Sequence, residues 1–383
     1  MTFLSCLSTR PRSRKSDCIS AVHTFSRILL VRLREIGDVA FTTPAIHALR
    51  TRFPHAHLAY VVEPAAAPIV LRNPHLDEVI VAPRRRGVRG LVGDLALGRR
   101  LRAKRFDLVI DFHGGPRASL LAWLSRAPVR IGYEIRGRGW MYTQRIARPR
   151  ELRPRHSVEN QWDLLAPLGV APPTRTAHPM EMPADPAIAA AVDVRLAGAG
   201  VSSGDPIVVI HVSAGNPFRR WPPAHFVDLV SALARDDERR RIVVTSGPSE
   251  REAAARVIAA SRERLGAARS SQVVSCGELS LAELRALLDR ASLYIGGDSG
   301  PLHVAATTSV PIVALYGPTL PARSAPWRSL QYVTESVDAG DLPCRPCDQR
   351  VCEPGDFRCL ASIESARVFE AAKRALGYTV GRE

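Results

Sequence analysis

The sequence predicts an α/β protein with two doubly wound domains, each built on a parallel sheet. Short apolar runs rich in branched side chains alternate with helical patterns, as they do in strand–helix–strand units. A proline-rich stretch over residues 148–185 interrupts this alternation, which then starts again. At 383 residues the chain is also longer than one ordinary core. We expect a disordered tail at residues 1–25, one domain at 26–178 and a second at 179–383.

The first predicted domain opens on an apolar run at residues 28–33, followed by a glycine-containing turn and a helical pattern at 44–52. Further strands are predicted at 58–62, 78–82 and 106–112, and a helix follows the glycines after the last of these. Ligands of doubly wound sheets bind at the carboxyl ends of the strands. The turns after these strands are therefore the expected positions of functional side chains.

The second predicted domain repeats the pattern after a connector that carries one helix, at residues 158–168. Its strands are predicted at 206–211, 241–245, 272–275, 293–295 and 311–316, and its helices at 223–235, 250–262 and 281–290. A cysteine cluster at 344–359 precedes a terminal helix. We expect the site in the cleft between the two domains.

The charge of the chain is unusual. The formal net charge is +16, and lysine occurs only at Lys15, Lys104 and Lys373, so arginine supplies nearly all of the positive charge. Arginine enrichment can reflect a genome rich in G and C. It equally indicates an anionic partner: nucleic acid, a phosphorylated sugar or an acidic membrane surface. No apolar run reaches the roughly 18–20 residues that span a bilayer, and residues 1–25 lack the apolar core of a signal peptide. We expect a cytoplasmic protein with reduced cysteines.

Asp38 follows the first predicted strand, where a side chain can point into the cleft. A carboxylate at this place can take a proton from an attacking hydroxyl. The alternative is that it caps the helix that follows, which is a common role of aspartate. Position alone favours the cap.

The glycine-rich segment from Gly296 to Gly300 leads into a predicted helix that carries His303. Backbone N–H groups at the start of a helix bind anions, so a diphosphate fits here. A tight turn with a capping aspartate is an equally good interpretation. The segment matches neither the P-loop nor the GxGxxG pattern, which argues against an ATPase or a dehydrogenase.

Residues 211–222 follow the first strand of the second domain and contain small polar residues ahead of Arg219-Arg220-Trp221-Pro222. Small residues allow a diphosphate to approach the backbone, and an arginine can neutralise charge on a leaving group. A solvated arginine pair beside a packed indole explains the same residues.

Together these segments resemble glycosyltransferase family 9, which includes the ADP-heptose:lipopolysaccharide heptosyltransferases. They are Gly37-Asp38, Arg-Arg-Trp-Pro at 219–222, and Gly-Gly-Asp-Ser-Gly-Pro-Leu-His at 296–303, in the family's order. The resemblance covers about residues 27–376. It implies the GT-B architecture, in which two Rossmann-like domains face each other across a cleft. It also implies inverting transfer of heptose, or a related sugar, from an ADP-sugar to a hydroxyl of a lipopolysaccharide core or lipid A-type acceptor.

The resemblance also implies roles for individual residues. Asp38 matches the catalytic base, and Arg219 stands where relatives usually have a lysine that neutralises the diphosphate. Arg117 and His113 match positions on the acceptor side, where many relatives have Gln in place of His113. The residues that match donor contacts are Ser213, Ala214, Glu250, Gly297, Asp298, Ser299, Gly300 and His303.

Arg84, Arg85 and Arg86 follow the third predicted strand, at the same sheet edge as Asp38. They suit the phosphate or acidic sugar of a glycolipid acceptor. A solvated charged loop is an equally good interpretation.

Four cysteines, Cys344, Cys347, Cys352 and Cys359, have the spacing C-x2-C-x4-C-x6-C. Four thiols suit a tetrahedral structural zinc, although zinc sites usually have two well-separated CxxC pairs. Disulfides and free thiols remain open. Nothing in the sequence places this cluster at the reaction centre, and we expect catalysis to need no cofactor.

Two other functions fit part of the sequence. A sugar-nucleotide epimerase could share the scaffold, but it needs further acid–base groups that the sequence does not offer. A nucleic-acid-binding protein would fit the charge, but arginine is spread along the whole chain without a recognition motif. We therefore expect a transferase with an ADP-heptose donor and an anionic glycolipid acceptor. We expect it in the cytoplasm, with peripheral contact at the inner face of the plasma membrane and without a nucleic-acid partner.

Overall fold

A computed structural model describes residues 24–148, 155–212 and 216–377. It contains two six-stranded sheets, and every strand pairing in them is parallel. Residues 1–23, most of the predicted tail, lie outside the described part. Phe25 is described, and it is buried against Phe53 with ring centroids 5.7 Å apart. The tail at residues 1–25 and its boundary stay predictions.

The first sheet and its helices occupy the amino-terminal half. Its strands are β1 (Arg27–Val31), β2 (His57–Val62), β3 (Glu78–Val81), β4 (Leu108–Asp111), β5 (Val129–Tyr133) and β6 (Gln144–Ile146). Its helices are α1 (Ile36–Ala40), α2 (Thr43–Arg52), α3 (Gly87–Ala103) and α4 (Pro116–Leu124), and α5 (Ser157–Trp162) follows in the connector.

The second sheet and its helices occupy the carboxy-terminal half. Its strands are β7 (Ile207–His211), β8 (Arg241–Thr245), β9 (Val273–Val274), β10 (Leu293–Gly297), β11 (Ile312–Tyr316) and β12 (Thr334–Asp338). Its helices are α6 (Pro186–Gly198), α7 (Pro223–Asp236), α8 (Arg251–Arg269), α9 (Leu281–Arg290), α10 (Gly300–Ala305), α11 (Pro321–Ser324), α12 (Arg358–Ala361) and α13 (Ser365–Gly377).

Both sheets have the same strand order. The first sheet has the order β3-β2-β1-β4-β5-β6, and the second has the order β9-β8-β7-β10-β11-β12. The two orders are identical when β7 is counted as the first strand of its half. In this doubly wound order the chain changes direction across the sheet between the first and fourth strands, and ligands bind at that point. The turns after β1 and β4 meet there in the first half, and those after β7 and β10 in the second. The predicted fold class is confirmed.

Alternate residues of each central strand face different apolar clusters. Leu29 and Val31 of β1 pack under α3 and α4, whereas Leu30 belongs to a cluster that also contains Val209 of β7. This division follows from the two-residue period of a strand. One continuous apolar layer therefore lies between the two sheets, and each sheet has a second layer on its outer face.

The connector contacts both halves. Glu181 donates its N–H to Thr43 Oγ1 at 2.9 Å in the first half, while the N–H of Met180 donates to the Trp327 carbonyl at 3.0 Å in the second. The imidazole of His156 bonds the Ala325 carbonyl at 2.8 Å. The boundary at residues 178/179 stays a prediction.

No helix in the described ranges combines the length and the apolar character that crossing a bilayer requires.

Candidate active site

A cleft of about 600 Å³ opens between the carboxyl ends of the two sheets. Its volume lies in the range of small-molecule sites. Five predicted site residues from the second half line it together with Asp38 from the first: Arg219, Asp298, Ser299, Gly300 and His303. The cleft thus brings together the three segments that the sequence singled out.

Asp38 lies inside the short helix α1 and does not cap a helix. The cap position of α1 is Glu35 and that of α2 is Thr42, so the capping alternative is excluded. The Asp38 carboxylate forms an ion pair with Arg32, whose guanidinium also donates to the Phe112 carbonyl at 2.6 Å. The Asp38 side chain is about one-third exposed, so it remains accessible from the cleft.

Two glycines allow α1 and α10 to approach each other across the cleft. A Cβ on Gly37 would lie 2.5 Å from Cδ2 of His303, and a Cβ on Gly300 would lie 2.9 Å from Cβ of Ile36. Both distances are shorter than a normal carbon–carbon contact. The glycines next to Asp38 and in the Gly-Gly-Asp-Ser-Gly segment therefore set the spacing between the halves at the site.

Asp298 is almost completely buried and acts as the centre of a hydrogen-bond network. Its Oδ2 accepts from Thr319 Oγ1 at 2.5 Å and from Ser324 Oγ at 3.1 Å, and its Oδ1 lies 3.5 Å from His303 Nε2. Burial raises the pKa of Asp298, but the contact with His303, the charge of Arg219 and the Thr319 hydrogen bond outweigh it, so the pKa lies below its usual value. The carboxylate is ionised and positions the residues on this side of the cleft.

Arg219 is held against this network. Its Nη1 donates to the Asp298 carbonyl at 2.9 Å, and its Nε donates to Gln349 Oε1 at 2.8 Å. Asn216 donates to the same Gln349 oxygen at 2.7 Å. The guanidinium is thereby fixed at the wall of the cleft, about two-thirds buried, where its charge faces the interior.

Glu250 lies outside this cleft. It lines a second cavity of about 260 Å³, together with Val212, Trp221 and Arg220, and accepts a hydrogen bond from Ser249 at 2.7 Å. Ser213 and Ala214 fall outside the described residues. Gly297 ends β10 and is buried beneath the cleft.

Arg117 is engaged inside the first half. Its guanidinium donates to Glu63 and Asp94, at 2.8 Å each, and to the carbonyls of Ala82 and Pro83. These contacts link the middle of α3, at Asp94, to the chain segments that follow β2 and β3. The exposed residues Arg84, Arg85 and Arg86 follow immediately on the fastened strand end. Arg117 therefore positions their loop, and direct acceptor contact by Arg117 stays a prediction.

His113 follows β4 in a turn built by Asp111. The Asp111 carboxylate accepts from the N–H groups of His113 and Gly114 at 2.8 and 2.9 Å, and from the Tyr142 hydroxyl at 2.6 Å. Burial, and then the charges of Arg32 and Arg34, lower the pKa of His113 to about 4. The imidazole is therefore neutral at physiological pH and can donate or accept a hydrogen bond.

The four clustered cysteines line one cavity of about 290 Å³. All are free thiols, and among the described residues no three cysteine sulfurs converge as metal ligands do. The zinc and disulfide interpretations stay predictions. Cys347 and Pro346 also line the cleft itself, a position that nothing in the sequence had indicated.

Several cleft residues were missed by sequence analysis. Arg32, Gln349 and Thr319 each contact a predicted site residue, yet none belongs to a recognisable motif. Gln349 has a φ of 61°, which marks a tight turn in the cysteine-rich loop. Only the folded loop brings it against Arg219, so its sequence position carries no signal.

Comparison with known proteins identifies the family. The model of glycosyltransferase family 9 (heptosyltransferase) matches residues 95–354. The chain is 28% identical over 326 residues to lipopolysaccharide heptosyltransferase 3 of Escherichia coli, a match that covers 83% of this chain and 91% of that protein.

Two solved structures have the same fold. A family 9 glycosyl transferase from Veillonella parvula superposes with a TM-score of 0.79 at 26% identity, covering 92% of this chain and 97% of that one. The E. coli ADP-heptose lipopolysaccharide heptosyltransferase II gives 0.72 at 21% identity, covering 92% and 99%. The family model alone covers more than half of the chain, and its match includes the Arg219 and Gly-Gly-Asp-Ser-Gly segments of the cleft. The chain is a glycosyltransferase, and it belongs to glycosyltransferase family 9, the heptosyltransferase family.

Proposed function

We propose that this protein transfers a heptose, or a closely related sugar, from an ADP-sugar to a hydroxyl of a lipopolysaccharide core acceptor, with inversion at the anomeric carbon. The observation that carries the proposal is the cleft itself, which is lined by an accessible carboxylate of one half and a fixed guanidinium of the other. The relatives' names supply the substrates: lipopolysaccharide heptosyltransferase and ADP-heptose.

Asp38 is the base in this proposal. Its carboxylate removes the proton of the acceptor hydroxyl, and the oxygen then attacks the anomeric carbon from the face opposite the nucleotide. The ion pair with Arg32 holds the carboxylate in one orientation. The bond to ADP breaks as the new glycosidic bond forms, and the electron pair leaves with the diphosphate.

The donor diphosphate lies between Arg219 and the start of α10. Arg219 neutralises the charge that develops on the leaving group, because its guanidinium is already fixed by Asp298 and Gln349. The first N–H groups of α10, at Ser299 and Gly300, have no partner within the helix and supply hydrogen bonds. Fixed protein charge thus performs the leaving-group stabilisation, and the proposal assigns no step to a cofactor. The adjacent cavity at Glu250 is sized for the nucleoside.

The acceptor lies on the first half, which we propose to dock on an anionic membrane surface. Val88, Leu91, Val92 and Leu95 form an exposed apolar stripe on α3, at the i, i+3, i+4, i+7 spacing of one helix face. Arg84, Arg85, Arg86 and Arg89 flank its amino-terminal end and are exposed. An apolar face bordered by arginines is typical of helices that lie in a membrane interface.

Replacement of Asp38 tests the base. Asp38→Asn keeps the shape but cannot accept the proton, so kcat should fall by about 10²–10⁴-fold while the Kd for ADP-heptose stays within about twofold. Glu35→Gln is the matched control, because Glu35 is a second carboxylate of the same cleft. Transfer should be followed as ADP release with a lipopolysaccharide core acceptor. Retention of most of the rate by Asp38→Asn would reject the assignment.

A further inference from the structure

A cluster of three side chains outside the cleft has the composition of a metal site. It consists of His47 on α2, His75 in the loop before β3 and Glu181 in the connector, and its ligand atoms all lie within 4.8 Å of one another. Among the described residues it is the only group of three or more His, Cys, Asp or Glu side chains that converges in this way. None of the three lines the active-site cleft.

The spacing of the atoms fits a tetrahedral ion. His47 Nδ1 lies 3.3 Å from Glu181 Oε1, and His75 Nε2 lies 3.3 Å from Glu181 Oε2. Ligands at about 2.0–2.1 Å from a tetrahedral Zn²⁺ are separated by roughly 3.3–3.4 Å. Two imidazoles and one carboxylate, with the fourth position open, form a known zinc ligand set.

Two of these atoms make no hydrogen bond of normal geometry. His47 Nδ1 and Glu181 Oε2 are buried, and each has only its 3.3 Å ion-pair contact within the cluster among the residues in the described part of the chain. Buried polar atoms without good hydrogen bonds are rare in folded proteins and destabilise them. A bound cation would satisfy both atoms at once.

The backbone that carries the ligands is held in place before any ion binds. Arg50 donates twice to the His75 carbonyl, at 3.1 and 3.2 Å, and Thr43 receives the Glu181 N–H at 2.9 Å. The His47 and His75 rings are stacked, with centroids 4.4 Å apart and an interplanar angle of 4°, so one ring must rotate before both nitrogens point at one ion. A fixed backbone leaves only side-chain rotation to be ordered on binding, which favours affinity.

We propose that His47, His75 and Glu181 bind a divalent transition-metal ion of the zinc type, which ties the connector to the first half. Residues on both sides of Glu181 contact the second half: Met180 donates to the Trp327 carbonyl, and the Met182 carbonyl accepts from Arg285 at 3.1 Å. An ion at Glu181 therefore restrains a segment that contacts both halves. Its role is structural, because the site is separate from the cleft.

Titration of the chelator-treated, full-length protein with Co²⁺ and Zn²⁺ tests the site. The wild type should bind one equivalent of the metal ion at this site. His75→Gln and Glu181→Gln should lose this equivalent, because their affinity for the ion should be lower by more than about 100-fold. The optical difference spectrum of the Co²⁺ forms should show ligand-field bands without sulfur-to-metal charge transfer, which separates this site from the cysteine cluster. Zn²⁺ should raise the Tm of the wild type and not that of either variant.

His57→Gln is the matched control, because His57 pairs with Glu78 at 3.4 Å without a second histidine. It should retain the full stoichiometry. Equal stoichiometry in wild type and both site variants, or a lost equivalent with a sulfur charge-transfer band, would overturn the proposal. Should a variant fail to fold, the wild-type Cu²⁺ complex decides: its EPR spectrum must show coupling to imidazole nitrogen.

Discussion

Gly37 and Gly300 show how single residues set the distance between the two halves of the site. Gly37 has no side chain at the point where it meets His303, and Gly300 has none at the point where it meets Ile36. Neither φ lies in the left-handed region, so the requirement for glycine is steric and comes from the close approach.

Gly300→Ala should reduce transfer because the added Cβ would meet Ile36 Cβ at 2.9 Å and displace α1, which carries Asp38. A displacement of about 1 Å at a catalytic group lowers rates by up to about 100-fold, so kcat/KM should fall by about 10–100-fold. Gly204→Ala is the control, since no atom lies within 4 Å of its Cβ position. The kcat/KM of both variants should be measured by steady-state kinetics. A wild-type value for Gly300→Ala would contradict the steric argument.

At this scale the sequence predicted the residues of the three motifs and missed their supports. Asp38, Arg219 and His303 follow strands at recognisable positions, so strand order alone brings them to one edge. Gln349 and Thr319 reach the cleft from loops whose path depends on tertiary packing. Arg32 stands at the end of β1, where its charge could not be distinguished from any other arginine of this chain.

Helix α3 was not recognisable in the sequence, and it exposes apolar side chains on its surface. Its buried face contains Gly90, Leu97, Gly98 and Leu101, whereas the four apolar residues near its start are exposed. Its residues did not indicate a helix from the sequence pattern alone. Periodicity identifies an apolar face, but it does not tell which of two faces meets the core.

The double variant Leu91→Asp/Val92→Asp tests the membrane contact of α3. Each apolar side chain contributes about 1.5–3 kcal/mol when fully buried, so binding to anionic phospholipid vesicles should weaken at least roughly tenfold. Val194→Asp on α6 is the control, because Val194 is an equally exposed valine in the other half. Cosedimentation with vesicles measures the effect. Equal binding of the double variant and the wild type would rule out α3 as the contact.

Three strands were also missed, for a physical reason. β6 and β12 lie at the edges of their sheets, and β12 is polar and half-exposed (Thr334–Asp338). Edge strands do not need the continuous apolar pattern of central strands, since one side faces solvent. β5, next to the edge, carries an arginine and a glycine within five residues.

The pH dependence of stability belongs to the whole molecule, because buried histidines occur in both halves and the connector. Burial lowers the pKa of His211 to about 4, well below the 6.5 of the unfolded chain. Between these values the unfolded state binds a proton that the folded state does not. The contribution of this group to the free energy of unfolding is therefore largest above pH 6.5 and decreases as the pH falls toward 4.

His211→Asn should flatten this dependence. In the wild type, protonation of this group lowers the free energy of unfolding by roughly 2 kcal/mol between pH 7 and pH 5, and the variant should lack this decrease. Urea unfolding at both pH values measures it, with the exposed His55→Gln as control. Identical pH slopes for the wild type and His211→Asn would show that burial of His211 does not govern this range.

The repeated strand order has a consequence for how such an enzyme can change. In the proposed arrangement the loops after β1 to β6 meet the acceptor, and those after β7 to β12 meet the donor. Substitutions that retune one substrate preference therefore leave the other half's binding surface intact. The two specificities of this scaffold can diverge separately, and a new sugar–acceptor pairing requires altered loops on one half only.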